Sequence, residues 1–450
     1  MIIKILLLLL FNSFNSKILF VFEHFRHGAR NPCNHIDKNG KDFLGKKWNF
    51  VGELNNIGKK QHFLLGKRNR EKYKNFLLDF YHPKEILAFS TNRNRTIESL
   101  IANLMGMFYK KGKKMKENQR KFSFPQKIKI SDEIFENSNE IFLETFAIHL
   151  FKEEEHDFLL HEPKICYPIK KIKFQLQNSM KKHAKIFKKK FGEKLLKFLI
   201  KNGNEENSNK NDFFDSFINV YDFCDHFISD FIFDDEDSQL KKLENYEINL
   251  NNLFNHCQNL TKIMQFDVVF GNDDVLFMSM SPSFKKILNW MEKRIFLHKM
   301  NKSNEFDYNS PKFVIFSGHD TTIAGFIKIM NKLFGSEIIN PEFSASVFFE
   351  VDFEEDYFVN YLFGDVLLSR IEFAEFKKKI EGFLWSEKKI YEFCDFDYFN
   401  VYKSLIFVLM IVIFVLAGIL CFFVKKDKKN KIFNEIKPIK LKEEENIKKE

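Results

Sequence analysis

Ile18-Leu19-Phe20-Val21-Phe22, continued through Glu23-His24-Phe25, runs into Arg26-His27-Gly28-Ala29-Arg30-Asn31-Pro32. A short apolar run ending in charged residues and glycine reads as a buried strand that delivers side chains to the edge of a sheet. The pattern returns late in the chain, where Phe313-Val314-Ile315-Phe316 leads into Ser317-Gly318-His319-Asp320-Thr321-Thr322. In open α/β sheets ligands sit beyond the carboxyl ends of the strands. Two such strand ends therefore predict one site assembled from both ends of the chain.

The residue types in that site ask for an anion. Arginine is permanently charged and carries a planar donor fork that matches phosphate oxygens. A histidine held among guanidiniums has its protonated form disfavoured by like charge, so it stays neutral and nucleophilic. An aspartate at the same place can protonate a departing alkoxide when the working pH lets it carry a proton. The competing reading, that His27 merely ends a strand among surface ion pairs, would hold for a lone histidine. It does not account for the second motif.

Between the two motifs the chain alternates in type. Asn55 or Asn56 can cap a helix running through Phe63, Leu64 and Tyr73. Lys84-Glu85-Ile86-Leu87-Ala88-Phe89 reads as a strand. The helix that follows it has apolar residues at Ile97, Leu100, Ile101, Leu104 and Phe108. Arg95 thus falls at a strand-to-helix junction, where helix amides and a guanidinium can share one anion. Residues 131–264 are charge-rich and helical in pattern, broken by a low-complexity asparagine-rich loop at 202–211. They read as a mainly helical cap inserted between the two parts of an α/β catalytic core, 17–130 and 265–395, with further strands expected at 313–316 and 346–351.

Two segments read as addresses. Residues 1–16 place one lysine before an apolar run and end polar, as a secretory signal peptide does. Residues 404–424 contain no charge and are long enough to cross a bilayer as a transmembrane helix. Lysines follow at once, at Lys425, Lys426, Lys428 and Lys429, and an acidic aromatic stretch precedes. By the positive-inside rule residues 425–450 are a cytoplasmic tail and the bulk of the chain lies outside the cytosol. An oxidising lumen then suits Cys33, Cys166, Cys224, Cys257 and Cys394, which are odd in number, so at least one thiol is free or pairs between chains. Asn259 and Asn301 stand in glycosylation sequons.

Composition narrows the classes further. The chain has 450 residues, 44% of them hydrophobic, enough for a large core. Its net charge of +10 includes a tail with ten lysines against six acids. No basic stripe interleaved with stacking aromatics stands out, so nucleic acid is not an expected partner. Phe (58) is abundant while Gly (17) and Pro (9) are scarce, a drift of the whole composition and not of one segment.

At these residues the chain resembles the histidine acid phosphatases, with lysosomal and prostatic enzymes as the nearer branch and phytases as a more distant one. Beyond the two motifs, Glu53-Leu54-Asn55-Asn56-Ile57-Gly58 with Gln61 is similar to a family segment that usually has threonine at the third place. Ser90-Thr91 through Arg95-Thr96 is similar to another, with Asn94 where aspartate is usual. The resemblance implies a phosphoglycerate mutase-like core: an open, mostly parallel sheet flanked by helices, with the inserted helical cap and one C-terminal transmembrane helix. It implies that His27 is a nucleophile forming phosphohistidine, that Asp320 is the general acid, and that Arg26, Arg30, Arg95 and His319 hold the phosphoryl group. No cofactor or metal is implied. It pairs Cys166 with Cys394 and leaves Cys224 either free or joined to Cys257, and a glycan on Asn94 would block the site. The expected activity is hydrolysis of phosphate monoesters, on small molecules or proteins, at acid pH. A phytase-like activity on inositol phosphates and a catalytically idle surface binding protein are the alternatives. A mutase is disfavoured by the His-Asp motif and the large cap. The expected setting is a single-pass type I membrane protein of the secretory or endolysosomal pathway, in a lysosome-like compartment or at the cell surface, with a homodimer left open.

Overall fold

The computed structural model describes residues 17–33, 41–42, 44–108, 145–150, 166–202, 213–233 and 240–447. Residues 1–16, the expected signal peptide, lie outside them. The chain divides into two compact units, one holding the sheet and its helices through Ser386, the other combining residues 165–168 with 387–450.

In the first unit the elements in chain order are β1 (Lys17–Arg26), α1 (Asn56–Lys72), β2 (Ile86–Ser90), α2 (Asn94–Phe108) and β3 (Ile148–Leu150). A helical stretch follows: α3 (Tyr167–Ser179), α4 (Lys181–Phe187), α5 (Glu193–Asn202), α6 (Phe217–Phe233), α7 (Leu240–Glu244), α8 (Leu250–Ile263) and α9 (Asp273–Lys299). The chain then returns to the sheet with β4 (Phe313–Gly318), α10 (Asp320–Phe334), β5 (Ser346–Phe353), β6 (Tyr357–Phe363), β7 (Val366–Glu372) and α11 (Phe373–Phe383).

The seven strands form one sheet in the order β3-β2-β4-β1-β5-β6-β7. Here the structure corrects the expectation of a mostly parallel sheet. The pairs β3–β2, β2–β4 and β4–β1 are parallel, but β1–β5, β5–β6 and β6–β7 are antiparallel. For β5–β6 and β6–β7 the reason is connection length. Residues 354–356 and the pair Gly364-Asp365 are too short for a crossover, and only antiparallel neighbours can be joined by such tight turns. Gly364 takes φ +59°, the left-handed conformation that a two-residue hairpin turn requires.

Alternation along the strands sorts side chains onto two faces. Phe20, Phe22, Val314, Phe316, Val347 and Phe349 face α9, α10 and α11. Val21, Phe25, Ala88, Phe313, Ile315 and Phe348 face α1 and α2 through Tyr73, Leu100, Leu104 and Phe108. In α2 the buried positions are Thr96, Ser99, Leu100, Asn103, Leu104, Gly106, Met107 and Phe108. Ile101, expected in the packed stripe, is instead 38% exposed. The buried face is turned by Gly106, whose added Cβ would lie 2.1 Å from the Phe63 carbonyl oxygen, so α1 and α2 cross at backbone contact.

A third core lies within the helical stretch, where Phe187, Leu195, Phe198, Phe214, Phe223, Phe227, Leu253 and Leu260 pack on one another. Many of the chain's phenylalanines are used here. Cys224 of α6 is bonded to Cys257 of α8 inside this core. Strands stand where they were expected, at Phe313–Gly318 and Ser346–Phe353; before them residues 264–269 are a π-helical turn and α9 follows.

In the second unit Cys166 is bonded to Cys394; among the described residues the free thiols are Cys33, in the first unit, and Cys421, in the second. This unit contains the helix α12 (Glu387–Ile447). Within it, Lys403–Lys429 is long and apolar enough to cross a membrane, with a mean hydropathy of 3.3 over an 18-residue window that has no burial against protein.

Candidate active site

The sheet register brings the two motifs together. Arg26, the last residue of β1, pairs with Gly318, the last of β4, and Ser90 at the end of β2 pairs with Ser317. His27, His319 and Thr91 therefore leave three adjacent parallel strands at one edge. The backbone ladder continues past the strand ends: His27 N–H donates to the Gly318 carbonyl (2.9 Å) and Thr91 N–H to that of Ser317 (3.2 Å). The rings of His27 and His319 meet edge-on with centroids 5.6 Å apart.

His27 is buried. Its Nδ1 lies 2.9 Å from the Gly28 carbonyl oxygen. A carbonyl only accepts, so Nδ1 carries the proton and Nε2 presents its lone pair. Burial drives the His27 pKa well below that of free imidazole, and the charges of Arg95, Arg26 and Arg30, then His319, push it the same way. Burial and like charge thus both favour the neutral imidazole.

Three guanidiniums surround it. Arg26 donates to the Pro341 carbonyl through one terminal nitrogen (2.9 Å), pairs with Asp320 Oδ2 through the other (2.9 Å) and stacks over the Phe343 ring at 4.2 Å. Arg30 gives both terminal nitrogens to Asp225, at 2.9 and 3.2 Å. Arg95 is the second residue of α2, at the junction where its position in the sequence placed it. The Nε donors of Arg26, Arg30 and Arg95 are buried and have no hydrogen-bond partner. Buried donors left this way cost free energy unless a ligand accepts from them. Asp320 opens α10 directly after its N-cap His319, and His319 Nε2 lies 3.2 Å from Thr91 Oγ1. All six residues expected at the site are thus at this edge.

The supporting segment 53–61 has a physical role that its spacing alone did not reveal. Asn55 caps α1 by accepting from Gly58 N–H (2.9 Å). Gly58 lies against the motif itself: a Cβ on Gly58 would stand 2.2 Å from the Ala29 carbonyl, and one on Gly28 would stand 2.5 Å from the Gly58 carbonyl. Gln61 Oε1 accepts from Ala29 N–H (2.9 Å) and from Ser344 Oγ (3.1 Å). Glu53 accepts Asn31 N–H on its carbonyl and Asn94 Nδ2 on its carboxylate. An amide at position 94 donates to that carboxylate, as an ionised aspartate could not.

Other residues at the site went unrecognised in the sequence. Asp225 and Tyr221 sit one turn apart on α6. Burial raises the Tyr221 pKa, and the charges of Asp320 and Asp225 raise it further. Phe343, in the link from α10 to β5, lies under both Arg26 and the His27 ring. An i, i+4 pair on a phenylalanine-rich helix carries no signal that it faces a distant strand end. Asn259 and Asn301, the two expected glycan acceptors, are exposed.

A family model described as the histidine phosphatase superfamily (branch 2) matches residues 17–364. The lysosomal acid phosphatase of Rattus norvegicus is 38% identical over 90 residues, which is 20% of this chain and 21% of that protein. The prostatic acid phosphatase of Homo sapiens is 34% identical over 98 residues, 21% and 25% of the two chains. The matched stretch is thus a quarter or less of either relative's length. Among solved structures, a phytase from Citrobacter braakii superposes with a TM-score of 0.55 at 13% identity, covering 82% of this chain and 98% of that one. At that identity the likeness is one of fold.

Proposed function

The chain belongs to the histidine phosphatase superfamily, branch 2, and we propose that it is an acid phosphatase that hydrolyses phosphate monoesters through a phosphohistidine intermediate. The observation that carries this reading is the convergence of three guanidiniums, each with a buried and partnerless Nε donor, on one neutral imidazole.

In the proposed reaction Arg26, Arg30 and Arg95, with His319, hold the phosphoryl oxygens and stabilise the charge on them as the bond to the leaving group breaks. The His27 Nε2 lone pair attacks phosphorus in line with the ester oxygen. Asp320, acting as general acid, gives a proton to that oxygen and the alcohol departs. Water then attacks the phosphohistidine, with the Asp320 carboxylate taking its proton, and inorganic phosphate and neutral His27 are regenerated. The three guanidiniums supply the cationic charge, so activity is expected to persist in excess chelator.

We place the catalytic unit on the non-cytosolic side of a membrane, with residues 1–16 as a cleaved signal, 404–424 as a single span and glycans on Asn259 and Asn301. Two disulfides and the charge step at Lys425 support this setting. The helical stretch 131–264 is proposed to cap the site, on the strength of Asp225 reaching Arg30 from α6.

The test is chemical trapping. The full chain mixed with phosphorus-labelled aryl phosphate and denatured under conditions that spare phosphoramidates should carry label on His27, and His27→Ala should lose both label and turnover. Label on serine or aspartate, or undiminished turnover in His27→Ala, overturns the reading. A panel that includes inositol hexakisphosphate separates a general phosphatase from a phytase-like one.

A further inference from the structure

Asp225 belongs to no step of the proposed reaction, yet it occupies the part of Arg30 best suited to binding phosphate. A guanidinium recognises a planar or tetrahedral oxyanion by two parallel N–H donors. Both terminal nitrogens of Arg30 are already committed to the two Asp225 oxygens. The pair is largely sheltered, with side-chain exposures of 10% for Arg30 and 19% for Asp225, so solvent screens it only in part. Asp225 reaches it from the helical stretch, 195 residues away along the chain.

Charge counting then gives Asp225 a specific consequence. With His27 and His319 both neutral, Arg26, Arg30 and Arg95 stand against Asp320 and Asp225: three positive charges and two negative. A phosphate monoester carries one negative charge below its second ionisation, near pH 6, and two above it. With one proton in the complex, on Asp320 or on the phosphate, the total is neutral. With both ionised, one negative charge is left over in a buried site, which is unfavourable.

Resting on the phosphatase reading above, we propose that Asp225 is a specificity-determining residue: by clamping Arg30 it removes one unit of positive charge from the site. This restricts tight binding to phosphate complexes that hold a proton, and so confines affinity to acid pH. The groups facing the Asp225 carboxylate are Arg30 and Arg26 from the end of β1, with His226 and Tyr221 on its own helix; Asp320 and Cys33 face Arg30 in turn. Burial favours the neutral acid at Asp225, but the charge and hydrogen bonds of Arg30 outweigh it and hold the carboxyl below its ordinary range. Asp225 itself therefore stays ionised while the ligand and Asp320 exchange their proton.

The experiment compares the full-length chain in detergent with Asp225→Asn and Asp225→Glu. Binding of labelled inorganic phosphate is measured by equilibrium dialysis from pH 4.5 to 8, beside turnover of an aryl phosphate and the melting temperature. Asp225→Asn is expected to bind phosphate about tenfold more tightly than the parent above pH 7 and by less than about threefold at pH 4.5, since one uncompensated charge is then removed. Its binding curve moves to higher pH, product inhibition strengthens, and Asp225→Glu returns the parent's pH dependence. A clamp that only fixes α6 predicts the opposite: uniformly weaker binding at every pH, with a lower melting temperature. That result, or an unchanged pH dependence, overturns the inference. A parent chain that turns over ester while Asp225→Asn keeps the same binding curve sinks this inference alone. A parent chain that binds phosphate but never turns over ester sinks the phosphatase reading, and the binding curves still judge Asp225. A parent that does neither overturns both.

Discussion

At the scale of single residues, the site depends on which groups carry protons. If Asp320 is the leaving-group acid, its removal matters in proportion to how badly the leaving group needs a proton. Asp320→Ala should slow alkyl phosphates at least about tenfold more than nitrophenyl phosphate, whereas Arg95→Ala should weaken both alike through lost phosphate contacts. Equal slowing of the two substrate classes by Asp320→Ala would hand the role to another group. A second residue-scale consequence concerns acid stability. His24 and His62 are completely buried, and burial lowers each pKa from 6.5 to about 3. The unfolded chain takes up these protons as pH falls through 6.5 while the folded chain does not, so stability is lost on acidification, by on the order of 1 kcal/mol per pH unit for each histidine. His27 adds to this with the same sign. Glu23 acts oppositely: burial raises it from 4.5 to about 7 against Arg68, Asn69 and Lys72, so its share is present below about 4.5 and is lost as pH rises to about 7. Both ring nitrogens of His24 lack partners, and the ring lies between Phe316 and Phe326. His24→Phe should therefore raise the melting temperature more at pH 5 than at pH 7.5. An equal offset at both pH values would show that His24 does not titrate in the unfolded chain as argued.

At the scale of elements, the first motif holds its shape because α1 comes against it at backbone distance. No side chain larger than a hydrogen fits between Gly58 and Ala29. Gly58→Ala must push the Arg26–Arg30 turn or the start of α1, at a cost of about 1–3 kcal/mol for overpacking. Because the turn carries His27, turnover should fall about a hundredfold or more, as small misplacements of reacting groups do. Gly382, near the end of α11, has nothing within 4 Å of an added Cβ. Gly382→Ala is the control: activity unchanged and stability equal or up to about 1 kcal/mol higher. Comparable losses in both variants would remove the close approach as the explanation.

At the scale of the whole molecule, two disulfides restrict the unfolded chain. The Cys166–Cys394 bond spans 228 residues and Cys224–Cys257 spans 33. Chain entropy puts the first at roughly 5 kcal/mol and the second at roughly 4 kcal/mol. Replacing both members of the Cys224–Cys257 pair with serine should lower the melting temperature clearly and leave the phosphate site's chemistry intact in the fraction that folds. Peptide mapping under non-reducing conditions checks the pairing, and a free thiol at Cys394 would contradict it.

The sequence by itself determined the two strand-end motifs, the strand-to-helix place of Arg95, an N-cap at Asn55 or Asn56 and the apolar helix after residue 403. Each is written in a local pattern: an apolar run and its terminus, a capping residue, a length without charge. It also showed that five non-span cysteines cannot all pair within one chain, and Cys33 is the one left over. Tertiary structure alone decided the rest. The antiparallel pairing of β5, β6 and β7 turned on two short links whose meaning depends on which strands they join. The Gly58–Gly28 contact, the Asp225–Arg30 clamp and the packing of Phe343 under Arg26 join residues far apart in the chain. Local propensity acts over a few residues, whereas charge, burial and close approach act across whatever the folded chain brings within a few ångströms. That is why the reacting groups could be read directly from the sequence and the groups that tune them could not.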